Sequence, residues 1–467
     1  MKEFWSSLLS LVLVFGGCTL MPDYKRPAAP VSTNWPVNAT LDTGTNTVTA
    51  ADLDWQLFFD DPRLQKLIEI ALKNNRDLRI AALRVEQTRA QYRIQRAELY
   101  PGVQGDADFT RQRFSDAVTT FGGGSIFTTW NLDVGASYEL DLFGRIRSLK
   151  REALEKYFST EEARKSAQIS LVAEVATEYL TQLRLREAKA VANQTLAAVK
   201  SSYDLIKQKF DVGAASELDL RTAEGQVQTV RVNSAAFLQQ LAESENALVI
   251  LVGQPLPNDL PSGIAFQKQQ LLEDLPPGVP SEMLQRRPDI LAVEHTLKAA
   301  NADIGAARAA FFPRIILTGA GGTASAKLTD LFTGPSATWS FAPQITIPIF
   351  DVGSTRGKLA VSKIGREIEI NNYEKAIQNA FREVANALAT RSILDEKLKA
   401  QELLVNAEQK RFDLTTARYN QGVDSYVDVL LAQQDLYAAQ QNLLAFQAAR
   451  LINAITLYRS LGGGWKS

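Results

Sequence analysis

The sequence predicts a mixed α and β fold made of two copies of one helix-strand-helix unit. Three observations predict it: an internal repeat, two proline-free intervals long enough for exceptional helices, and stretches of strict two-residue alternation. Residues 203–223, YDLIKQKFDVGAASELDLRTA, align with 412–432, FDLTTARYNQGVDSYVDVLLA, without a gap, matching Asp204 with Asp413, Gly213 with Gly422, Asp219 with Asp428 and Ala223 with Ala432. Upstream, Leu72, Asp77, Arg96, Ala97 and Pro101 recur as Leu284, Asp289, Arg308, Ala309 and Pro313. The unit is therefore roughly 210 residues long.

The amino terminus reads as an export signal. Leu8 to Phe15 is an apolar run, and Gly16-Gly17-Cys18 closes it. The run is short for a membrane span, and proline-rich polar sequence follows it to Pro36. A small-residue pair directly before a cysteine has the form of a bacterial lipoprotein cleavage site, with Cys18 as the lipidated first residue. An ordinary cleaved signal with an incidental cysteine is the other reading. No later segment offers an uninterrupted apolar run of about 18 residues, so the sequence contains no further candidate for a membrane-spanning helix.

Strands come next. From Trp130 to Leu142 the even positions are apolar or small and the odd ones mostly polar, Asn131, Asp133, Ser137, Glu139 and Asp141 among them. Trp339, Phe341, Pro343, Ile345, Ile347 and Ile349 repeat the pattern opposite Ser340, Gln344 and Thr346. Strands are also expected at 103–114 and 314–325, so each unit supplies a hairpin, with Gly/Ser/Thr-rich loops at Ser115 to Phe127 and Gly322 to Ala337. One face, with Leu132, Val134 and Leu140, meets hydrocarbon or core, and the other, with Asp133 and Glu139, meets water. Four strands are too few to close a barrel, and an open edge is not tolerated in hydrocarbon. If the strands cross a membrane, a trimer with twelve strands abolishes every edge; a soluble antiparallel sheet covered by helices fits the same alternation.

Gly102 to Gln254 contains no proline, and none follows Pro348. In the first interval Ile169, Val172, Ala176, Tyr179 and Leu183, then Leu196, Val199, Tyr203, Ile206 and Phe210, step by three and four, the spacing of a helical packing seam. A helix from Arg145 to Phe210 would be roughly 100 Å long. Each such rod ends at a glycine with a serine shortly after, Gly213 with Ser216 and Gly422 with Ser425, which marks two helical hairpin tips.

Composition narrows function. A formal charge of -1 recruits no nucleic acid by bulk electrostatics, and one cysteine and one histidine, His295, leave no metal or disulfide framework. There is no phosphate loop of the GxxxxGK[ST] form and no His-centred catalytic set, so neither an enzyme nor an energy-coupling motor is expected.

From Cys18 onward the chain resembles the trimeric outer-membrane efflux ducts, in particular their lipoprotein branch serving multidrug export pumps. The resemblance lies in Cys18-Thr19-Leu20-Met21-Pro22-Asp23-Tyr24, Tyr138-Glu139-Leu140-Asp141-Leu142-Phe143-Gly144-Arg145, Arg286-Arg287-Pro288-Asp289-Ile290, residues 301–313 and Leu461-Gly462-Gly463-Gly464-Trp465. It implies a twelve-stranded transmembrane β-barrel, four strands per chain, joined to a long periplasmic α-helical barrel. It also implies a passive route to the exterior for small toxic compounds, with a periplasmic adaptor and an inner-membrane proton-driven transporter as partners. A duct for protein secretion or metal efflux is the alternative, against which the paucity of Met and His argues on the metal side. The expected organisation is a signal at 1–17, a lipid-anchored extension at 18–61, repeat units at 62–254 and 280–461, a linker at 255–279 and a tail at 462–467. The resemblance further implies that Asp424, in the Gly-Val-Asp turn, helps form a periplasmic constriction. Phe412 stands where close relatives have Tyr, and is expected to pack beside that turn as an apolar wedge. The exposed turns, Val212-Gly213 and Gly422-Val423, are candidates for adaptor contact. No cofactor is expected beyond a covalent lipid at Cys18.

Overall fold

The computed structural model describes residues 19–35, 53–115, 126–271 and 286–465. The expected signal at 1–17, Cys18, most of the first inter-strand loop and the end of the 255–279 linker lie outside these residues. The helices are α1 (Trp55–Phe58), α2 (Pro62–Asn74), α3 (Arg76–Ala97), α4 (Arg145–Asp211), α5 (Glu217–Val252), α6 (Pro288–Ala309), α7 (Ser354–Asn420) and α8 (Tyr426–Ser460). The strands are β1 (Gly102–Arg113), β2 (Ile126–Leu140), β3 (Arg314–Ser325) and β4 (Ala337–Thr346). Two compact units result: Met1–Ala28, Arg84–Glu161 and Ala292–Glu374 form one, and Ala29–Leu83, Glu162–Leu291 and Lys375–Ser467 the other. Each takes residues from both sequence copies.

The first unit holds one antiparallel sheet in the order β1-β2-β3-β4. Asp133 lies opposite Asp106 on one side and Gly322 on the other, and Ile315 lies opposite Ile345. The repeat hairpins are thus joined through β2 and β3, and β1 and β4 each keep one unpaired edge. The outer bounds of two strands differ from the alternation. β2 begins at Ile126, before Trp130, because β1 pairs with it as far as Arg113. It ends at Leu140, because Asp141 turns to start α4: its carboxylate accepts from the Ile146 and Arg147 amides at 3.1 and 2.9 Å and from the Arg147 Nε at 3.1 Å. β4 stops at Thr346, so Ile347 and Ile349 continue the alternation without pairing.

An extended strap, Thr19 to Arg26, follows one face of α6. Arg308 donates to the Leu20 carbonyl at 3.0 Å and Asn301 to the Pro22 carbonyl at 2.7 Å. Glu294 accepts from the Tyr24 hydroxyl at 3.2 Å and from the Arg26 Nε and Nη2 at 3.1 and 2.7 Å. The three anchors, Arg308, Asn301 and Glu294, are seven residues apart, two helical turns, and so share a face. Gly305 permits the approach, since a Cβ there would stand 2.9 Å from the Met21 Cα.

The second unit is organised by aromatic packing. Phe58 stacks on Tyr458 with centroids 4.1 Å apart, Phe59 lies edge-on to Phe58, and Leu64, Leu67 and Ile68 of α2 join Val172, Ala176, Tyr179, Leu248, Val384 and Ile455 in one core. Buried Asp61 ties the chain between α5 and α6 to it. Its Oδ1 caps α2 through the Arg63 and Leu64 amides, and its Oδ2 accepts from the Tyr179 hydroxyl, the Ile264 amide and the Gln269 side chain at 2.9, 2.9 and 2.6 Å.

The strap carries a pH dependence. Burial opposes ionisation of Glu294, whose side chain is 2% exposed, but hydrogen bonds from Arg26 and Lys298 prevail and hold its carboxyl below the ordinary 4.5. A depressed carboxyl stabilises the fold above its unfolded value, and that contribution is lost as pH falls through the folded value. A spin label at exposed position 23 should be immobile at neutral pH and gain mobility on acidification below about pH 4. Glu294→Gln should remove most of that pH dependence; a label that stays immobile throughout the acid range would contradict the clamp.

Candidate functional site

The rods end in two turns of the same construction. At the end of α4 the Gly213 amide donates to the Phe210 carbonyl at 2.9 Å and the Ala214 amide to the Lys209 carbonyl at 2.7 Å. At the end of α7 the Gly422 amide donates to Tyr419 and the Val423 amide to Arg418, both at 3.0 Å. Gly213 and Gly422 both have φ of 76°, the left-handed conformation that a side chain disfavours. Ser216 and Ser425 then start α5 and α8 through capping boxes with Asp219 and Asp428. Val212 and Val423 are left exposed beside the two glycines.

The tips share a small core. Ile206, Ala223, Tyr426 and Leu430 are buried together, flanked by Tyr203, Ala215, Leu220 and Tyr419. Lys209 donates to the Tyr419 hydroxyl at 3.0 Å, and the Tyr419 ring lies 5.7 Å from that of Tyr426. Tyr419 is therefore the ring behind the second turn. Phe412 lies about two turns further back on α7, half-buried and outside this cluster. Asp424 stands one residue before Ser425, the N-cap of α8.

Asp424 faces backward. Both of its oxygens accept from one guanidinium, Arg418 Nε to Oδ2 and Nη2 to Oδ1, each at 2.8 Å. The Asp424 side chain is 17% exposed and that of Arg418 57%. The hydrogen bonds from Arg418 hold the Asp424 carboxyl below its usual range. No spacing rule for helices pairs residues six apart. They meet only because the chain reverses at Gly422.

The sheet presents the second functional surface. Residues opposite one another in an antiparallel pair share a face. The registers therefore place Val103, Phe109, Trp130, Leu132, Val134, Ile315, Leu317, Trp339, Phe341 and Ile345 on one side, and Gln104, Asp106, Asn131, Asp133, Ser137, Thr318, Ser340 and Gln344 on the other. Val103, Val134, Trp339, Phe341 and Ile345 are exposed. Glu139, expected to face water, is held on the polar side by Arg145 at 2.8 and 2.9 Å and by Arg314 at 2.7 Å. Among the described residues no helix is long and apolar enough to cross a membrane. An apolar, exposed sheet face with unpaired edges, in a chain that also carries paired long helical hairpins, defines the protomer of a membrane duct.

Comparison with known proteins agrees. Residues 67–254 and 279–463 match the model of the outer membrane efflux protein family. The antibiotic efflux pump outer membrane protein ArpC and the toluene efflux pump outer membrane protein TtgC, both of Pseudomonas putida, are each 46% identical over 98% of this chain and 96% of their own length. The crystal structure of the open state of the Neisseria gonorrhoeae MtrE outer membrane channel superposes with a TM-score of 0.87 at 40% identity, over 96% of this chain and 99% of that one. The chain belongs to the outer membrane efflux protein family. It is an outer-membrane component of efflux.

The sheet geometry sets the effect of a lipid-face charge. Val134→Arg should destabilise assembly by about 2–4 kcal/mol per chain if that position lies near the midplane, whereas Asp133→Asn should be mild. Heat-resistant trimer on semi-native gels measures both, and equal trimer yield from the two variants would reverse the assignment of faces.

Proposed function

We propose that the chain is the passive exit duct of a multidrug and solvent efflux system, that Cys18 carries its lipid anchor, and that Asp424 lines its periplasmic constriction. The observation that carries the duct reading is the four-stranded sheet with one apolar face, one polar face and two free edges. Three copies joined edge to edge enclose the polar faces in a closed barrel. The paired hairpin tips, with Val212 and Gly213 on one and Gly422 and Val423 on the other, offer exposed apolar positions to the adaptor. Drive comes from the partner transporter; the duct itself performs no catalysis. The names of the two P. putida relatives, an antibiotic and a toluene efflux protein, support small apolar toxicants as the class carried.

Deleting the gene in its native cell should raise susceptibility to organic solvents and apolar antibiotics several-fold. Susceptibility to metals and the export of secreted proteins should be unchanged. Loss of metal tolerance or of protein export alone would move the chain to a different class of duct.

Intact-mass measurement of membrane-extracted protein should show a mature chain that begins at Cys18 with diacylglyceryl and acyl additions. Two or more acyl chains suffice for stable anchoring. An unmodified Cys18 at the mature terminus, or cleavage elsewhere, would remove the anchor from this account.

A further inference from the structure

We propose that Arg418 is the positioning residue of the constriction: it holds Asp424 across the turn and cancels its charge, so the three chains present a ring of neutral ion pairs. This rests on the reading of Asp424 as a constriction residue and concerns what sets the charge there. Three bare carboxylates in a narrow bore would repel one another and draw cations. The geometry of each chain gives a different arrangement. The guanidinium meets the carboxylate as a two-point fork at 2.8 Å on both arms, the most orienting form of ion pair.

Nothing else within the turn competes for either partner. The other acidic group near Arg418, Asp428, is engaged by the Ser425 amide and hydroxyl at 3.1 and 2.7 Å. The nearby cation, Lys209, is directed to the Tyr419 hydroxyl and lies over that ring. The fork also spans the reversal at Gly422, from the last turn of α7 to the residue before the cap of α8, so it ties the two arms of the hairpin where they diverge. Arg418 thus sets two properties at once: the charge seen by a passing ion, through neutralisation, and the set of the turn, through the two-point bond. Lysine in its place keeps the first and loses the second.

Single-channel recording of purified full-length trimers in planar bilayers under a KCl gradient separates these. Arg418→Gln should move the reversal potential toward cation preference, raising the K⁺/Cl⁻ permeability ratio by about twofold or more as the carboxylates are unmasked. Asp424→Asn should move it toward anions by exposing Arg418, and the double variant should return close to wild type. Arg418→Lys should keep wild-type selectivity but raise the resting leak, because a single-point contact no longer fixes the turn. Should Arg418→Gln leave selectivity unchanged while Asp424→Asn shifts it, Arg418 does not mask the carboxylate and the proposal fails with the constriction intact. Should neither variant change selectivity or leak, Asp424 is not at the constriction and both readings fall. If Arg418→Gln yields no trimer, Arg418→Lys and the double variant decide: a lysine variant with wild-type leak, or a double variant with altered selectivity, overturns the proposal.

Discussion

The structure depends on one constraint, that backbone amides and carbonyls in hydrocarbon must be paired within protein. A chain that contributes only β1 to β4 leaves one edge of β1 and one of β4 open. The apolar face adds a second demand, since Trp339, Phe341 and Ile345 are exposed on the terminal strand of the sheet. Lipid satisfies the side chains, but only another strand satisfies the backbone. Self-association is therefore a requirement of the strand count, and the polar residues on the opposite face line whatever the closed sheet encloses.

The two-copy sequence solves this with little new information. Each copy supplies one hairpin, and β2 meets β3 to join them into one sheet. The same duplication explains why the compact units do not follow the repeat: strands from both copies pair in one unit, while helices α2, α5 and α8 pack around Phe58, Tyr179 and Tyr458 in the other. The strap along α6 belongs to neither copy's pattern. Its anchors at Arg308, Asn301 and Glu294 lie at heptad spacing, but what they bind is a partner from the other end of the chain.

What was legible in the sequence follows from which forces are local. The long rod was readable to within a residue, from Arg145 to Phe210 expected and to Asp211 observed, because proline absence, helical spacing and a glycine stop are all written in consecutive residues. The strand faces were readable for the same reason. Strand ends were less so: Leu142 fits the alternation, yet the Asp141 carboxylate caps the first turn of the next helix, and capping overrides a period of two. The strap and the Asp61 hub were not readable, since their hydrogen bonds join positions far apart in the chain, and the heptad spacing of the α6 anchors does not by itself identify the segment they bind. At the site, Asp424 was singled out by its turn, but its partner was missed: Arg418 becomes a neighbour only after a left-handed glycine folds the chain back.

The comparison of the two tips shows how a duplicated scaffold acquires different chemistry at equivalent places. Backbone geometry is the same at both, with φ of 76° at Gly213 and Gly422 and the same Ser-Asp capping box after each. The charged groups differ. Where the second tip has Arg418 and Asp424, the aligned positions of the first hold Lys209 and Ala215. With no carboxylate to meet, Lys209 reaches instead to the Tyr419 hydroxyl of the second tip, while Arg418 closes on its own turn. One cation thus joins the two hairpins and the other stiffens one of them. The tips differ in both members of the pair, lysine against arginine and alanine against aspartate, while the left-handed glycine and the Ser-Asp capping box are common to both, so charge at the tips varies on one backbone shape.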